Sequence, residues 1–180
     1  MSNSIGSYYK YSDNQKQAID ELNKAIVLDP QNSYAYNNRG VTYHYLNDEE
    51  QAIVDYSKAI EIDPQYANAY NNRGVSYRNL GSQDKALEDY TKAIELDPQY
   101  ADAYVNRGEY YKSLGNYQKA IEELNKAIEL DPKSAMAYYN RAISYSSLGS
   151  HDKAIADYKI AASLGLEIAQ NWLKDKGLSW

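Results

Sequence analysis

The chain has 180 residues, 43% hydrophobic and 24% charged, with a formal net charge of −6. That is the balance of an ordinary folded domain, and the acidic excess argues against nucleic-acid binding, which gathers Lys and Arg on one face. The absence of cysteine excludes a disulfide framework and a thiolate metal site, and no apolar run approaches the roughly 20 residues of a membrane helix. Met1 to Lys10 lack the basic start and apolar run of a signal peptide, so the sequence reads as cytoplasmic.

Taken in order, the chain repeats itself. Residues 2–32 read as a first unit with a shortened opening helix, in which Gly6 and Tyr9 keep the later register but Ser2 replaces an aromatic. The second unit, 33–66, sets the pattern: Gly40, Gly74 and Gly108 are 34 residues apart, as are Pro30, Pro64, Pro98 and Pro132. Such a period marks a solenoid, in which each unit buries its apolar face against its neighbours. Tyr36, Gly40, Tyr43 and Leu46 form one helical stripe, and Ala52, Tyr56, Ala59, Ile60 and Ile62 form a second. Between them Asn47-Asp48, matched by Gly81-Ser82, Gly115-Asn116 and Gly149-Ser150, supplies a residue tolerant of the left-handed conformation and then a capping residue. Asp63-Pro64 ends the second helix, because the residue before proline is pushed out of the helical region. Units follow at 67–100, 101–134 and 135–165, the last drifting to Ala142 in the glycine slot. A capping helix at 166–176, built on Leu166, Ala169, Trp172 and Leu173, precedes a tail at 177–180.

Tyr, Gly and Tyr on a first helix, then Ala, Tyr, Ala and Pro on a second, resemble the tetratricopeptide repeat family over most of the chain. The resemblance implies an all-α, right-handed superhelical solenoid of tandem helix-turn-helix repeats forming a single domain over 1–180. It also implies a concave groove lined by the first helices, where asparagines hydrogen-bond the main chain of an extended peptide. Asn38, Asn72, Asn106 and Asn140 recur at that place, although asparagine is a poor helix former. An amide both donates and accepts, which suits a peptide backbone of any sequence. Specificity is expected from groove residues that differ between repeats: Tyr34, Asn37, Val41 and Tyr45; Asn68, Asn71, Val75, Arg78 and Asn79; Asp102, Val105, Glu109 and Lys112; Met136, Tyr139 and Ile143. Chaperone-binding members of the family clamp a terminal carboxylate with Lys and Arg around such an asparagine. Here Asp102 and Asn106 stand where that clamp is positive, and Arg78 and Lys112 lie outside its pattern.

Little else in the sequence carries chemistry. His44 and His151 occupy different places in their repeats and do not form a ligand set. Asp48, Glu49 and Glu50 lack the spacing and glycine of a calcium loop. Arg39, Arg73, Arg107 and Arg141 lie near Asp55, Asp89, Glu123 and Asp157 of their own second helices, which reads as a repeated bidentate pair inside each repeat. No cofactor and no enzymatic activity are implied. The expected partner is a protein or peptide, with no nucleic acid and no membrane. The alternatives are a weak homo-oligomer through the repeat ends, and a secretion-chaperone-like binding protein.

Overall fold

The computed structural model describes the backbone of residues 2–180 and the side chains of residues 14–180. Among the described residues there are ten helices and no strand. By contacts the chain divides into two compact units, one through Leu96 and one from Asp97.

The first unit holds α1 (Ser2–Leu28), α2 (Ser33–Tyr45), α3 (Glu49–Ile62), α4 (Ala67–Asn79) and α5 (Gln83–Leu96). Each helix packs on its chain neighbours through α4, and α4 packs on α5. The α2–α3 turn follows from the sequence: Asn47 takes φ 60° and Asp48 accepts a hydrogen bond from the Gln51 amide, a stop followed at once by a start. Gly40 explains how closely the pair packs, because a Cβ there would lie 2.7 Å from Tyr56 Cε1 and 3.1 Å from the Ala52 carbonyl oxygen. Ala52, Tyr56 and Ala59 are buried, as their spacing predicts, and so are Ala86, Tyr90 and Ala93 one repeat on.

α1 departs from the expected pattern. It is one continuous helix of 27 residues, not a short helix followed by a second. In the slot of Leu46-Asn47 it has Ser12-Asp13, without the leucine that stands at the end of the other first helices, Leu46, Leu80, Leu114 and Leu148. The packing of Gly6 and Tyr9 lies outside the described residues.

The second unit holds α6 (Ala101–Ser113), α7 (Tyr117–Leu130), α8 (Ala135–Ser147), α9 (His151–Ser163) and α10 (Glu167–Asp175). Pairing is again between chain neighbours, with a further contact of α6 on α8. α10 falls where a capping helix is expected and closes a core of Ala142, Tyr158, Ala161, Ala162, Ala169 and Leu173. Asn116 caps α7 through the Lys119 amide, whereas the Ser150 side chain makes no capping bond.

Candidate functional site

The four arginines form the most regular side-chain system in the chain. Arg39 donates from Nε and Nη2 to the two Asp55 carboxylate oxygens, both at 2.7 Å, and Arg73 does the same with Asp89 at 2.8 Å. Arg141 binds Asp157 at 2.7 and 2.8 Å. Arg107 donates both groups to one oxygen, Glu123 Oε2, at 3.1 and 2.9 Å. The pairing read from the sequence is therefore present, and with aspartate it is the two-point geometry that a planar guanidinium permits.

Two features were not read. In three of the arginines the remaining nitrogen, Nη1, reaches the helix preceding the arginine's own: Arg39 to Asn23 on α1, Arg73 to Ser57 on α3 and Arg141 to Asn125 on α7. The guanidinium also lies 5.4–5.7 Å from the ring three residues earlier, which is Tyr36, Tyr70, Tyr104 or Tyr138. The regular Tyr-x-x-Arg spacing was the available signal. These arginines hold helices together, with cation–π contact adding to the ion pair.

The expected ladder asparagines differ in exposure. Asn38 is exposed, Asn72 and Asn106 are half-buried, and Asn140 is buried at 1% exposure. In the first unit Asn72 Nδ2 donates to Asn37 Oδ1 at 3.1 Å, and Asn37 Nδ2 donates to Asn38 Oδ1 at 3.4 Å. This relay does not use the Asn38 amino group or the Asn72 carbonyl oxygen. In the second unit Lys112 Nζ donates to Asn140 Oδ1 at 2.6 Å and covers it.

The specificity candidates also separate. Tyr34, Tyr45, Asn68 and Asp102 are exposed; Arg78, Glu109 and Lys112 are half-buried, with Lys112 Nζ 4.0 Å from Glu109. Asn37, Asn71 and Val105, expected on the groove surface, are instead buried, at 5%, 5% and 8% exposure. One residue is 100° of helix, and this register turns toward packed neighbours. Tyr139, in the same register, packs edge-on against Tyr158 with ring centroids 5.8 Å apart.

A polar cluster links α2, α3 and α4. His44 Nδ1 lies 3.0 Å from both Glu49 oxygens, and Asn79 Nδ2 donates to Glu49 Oε1 at 2.6 Å. Burial pushes the Glu49 carboxyl up, but interactions with Ser76, Asn79 and His44 outweigh it and leave the group below its ordinary value. Beside the cluster Val41, Tyr45, Tyr56 and Val75 wall a hollow of about 210 Å³, with His44 and Asn72 on its lining. Among the described residues, no group of three or more His, Cys, Asp or Glu is placed to hold a metal, and no helix is long and apolar enough to cross a membrane.

Family models described as tetratricopeptide repeats match residues 33–66 and 67–100, 6–47 and 108–149, 89–122, and 135–164. No curated protein matches the sequence. Among solved structures, a crystal structure of MamA is similar at 29% identity, covering 92% of this chain and 97% of that one, with a TM-score of 0.73. PilF of Pseudomonas aeruginosa is similar in fold at 22% identity, covering 90% and 74%, with a TM-score of 0.78. Cut9, in the Cut9–Hcn1 hetero-tetramer of APC/C, also shares the fold at 22% identity, covering 85% of this chain and 29% of that one, with a TM-score of 0.78. Paired helices at a constant period, small residues between them and family models spanning residues 6–164 agree: the chain belongs to the tetratricopeptide repeat family.

Proposed function

We propose that this protein-interaction scaffold acts without catalysis and binds an extended peptide segment of a partner on the face formed by its first helices. The observation that carries the reading is the amide relay from Asn72 through Asn37 to Asn38. Two amides at its ends are oriented by their own hydrogen bonds, so one offers a donor and the other an acceptor. That pair suits the alternating C=O and N–H groups of a peptide main chain. Exposed Tyr34 and Tyr45, with Asn68 alongside, would then contact ligand side chains.

The test is a peptide-library binding assay with Asn38→Ala beside wild type. Asn38 is exposed and alanine is the better helix former, so helicity should hold while binding falls. Asn72→Ala should weaken binding too; each variant removes one partner of buried Asn37, the longer 3.4 Å bond in Asn38→Ala and the 3.1 Å bond in Asn72→Ala, so the stability cost is larger for Asn72→Ala. Undiminished binding by a folded Asn38→Ala variant would reject the main-chain reading in favour of self-assembly through the repeat ends.

A further inference from the structure

The hollow beside Asn72 differs in character from the rest of the candidate face. Its walls are apolar: Val41 and Val75 from two successive first helices, Tyr56 from the second helix between them, and Tyr45 at the rim. Tyr56 is 2% exposed and forms a fixed floor, while Tyr45 is 57% exposed. At about 210 Å³ the hollow lies below the roughly 300 Å³ at which drug-sized ligand pockets begin, so its scale is that of one side chain.

The two polar groups on the lining have their hydrogen atoms assigned by their neighbours. Asn72 spends its amide N–H on Asn37, which leaves its carbonyl oxygen as an acceptor. His44 faces the Glu49 carboxylate through Nδ1. A carboxylate only accepts, so Nδ1 carries a proton toward Glu49. An apolar hollow edged by the Asn72 carbonyl oxygen is complementary to an aliphatic side chain whose own main-chain N–H lies beside it.

The equivalent positions in the second unit carry different side chains. They are Glu109, Lys112, Ser113, Leu124, Asn140 and Ile143, two periods of 34 residues further along. There the Lys112 ammonium sits on the Asn140 oxygen, and Asn140 is buried.

We infer that the hollow between α2 and α4 is a side-chain pocket that selects peptides carrying a leucine, isoleucine or methionine, whose own N–H is received by Asn72. The inference rests on the groove reading and gives it a sequence requirement: one aliphatic anchor at one fixed position of the bound segment.

The probes are N-acetyl-leucine methylamide and its alanine, lysine and aspartate analogues, titrated into the full chain with labelled valine methyls followed by NMR. The leucine derivative should shift the Val41 and Val75 methyls saturably. The alanine analogue should bind about tenfold more weakly or worse, since even one methylene in an apolar pocket is worth roughly tenfold. Val75→Trp, which fills the hollow, should abolish the Val41 shifts. Tighter binding of the lysine analogue would make this a cation site and overturn the inference, as would the absence of any Val41 or Val75 response. Library peptides separate the two readings. If they lose affinity with Asn38→Ala yet tolerate alanine at every position, the groove stands and the pocket fails. If none binds but the leucine derivative still enters, the pocket stands without the groove.

Discussion

Tyr158 stacks on Trp172, with ring centroids 4.0 Å apart and planes 26° from parallel, and this contact joins α9 to the capping helix. Burial pushes the Tyr158 hydroxyl up to about 12 from an ordinary value of 10, because the phenolate cannot be solvated there. Tyr56 is raised for the same reason, burial first and the Glu49 charge second.

These tyrosines fix the sign of an alkaline transition. The unfolded chain ionises near pH 10 while folded Tyr158 keeps its proton to about 12. Its contribution is therefore fully present below pH 10 and is lost as pH rises through about 12. Urea titrations between those values should show falling stability, with a smaller fall in Tyr158→Phe. An equal fall in both proteins would show that Tyr158 is not responsible.

The arginine pairs make a second prediction. Arg73 and Asp89 are 2.8 Å apart, with side chains 19% and 7% exposed. A double-mutant cycle on Arg73→Ala and Asp89→Ala should give a coupling of about 0.5–3 kcal/mol. Arg73→Lys should recover only part of the loss, since an ammonium cannot bind both aspartate oxygens and Ser57 in the same plane. Additive single losses would show that the contact is not energetic.

Gly74 supplies a third. A methyl group there would lie 2.7 Å from Tyr90 Cε1 and 3.3 Å from the Ala86 carbonyl oxygen. Gly74→Ala should overpack the pair and cost about 1–3 kcal/mol in urea unfolding. The fifth repeat accommodates an alanine at this position, with Ala142 fully buried in one core cluster with Tyr158. A cost well below the stated range would mean that Tyr90 can retreat as easily.

Much of this arrangement was legible in the sequence because the repeat averages out local ambiguity. Four copies of Arg and carboxylate at one spacing named a contact that a single copy would not have named. The third arm of Arg39, Arg73 and Arg141 was not legible, since it required knowing which face of the preceding helix comes near. Asn37 and Asn71 were misplaced for a related reason: they adjoin the ladder positions in sequence, but one residue of rotation carries them from the surface into packing. Lys112 covers Asn140 across 28 residues and two helices, and nothing in a local pattern announces that contact.

The arginine arrangement also bears on how such a chain changes in length. The slot that receives the third arm holds Asn23 opposite Arg39, Ser57 opposite Arg73 and Asn125 opposite Arg141, every one able to accept from a guanidinium. Excising residues 33–66 would set Arg73 against Asn23, and duplicating them would set a second Arg39 against Ser57. Whole periods are thus interchangeable at this seam, so recombination between misaligned copies of the coding sequence can lengthen or shorten the chain without leaving an arginine stranded.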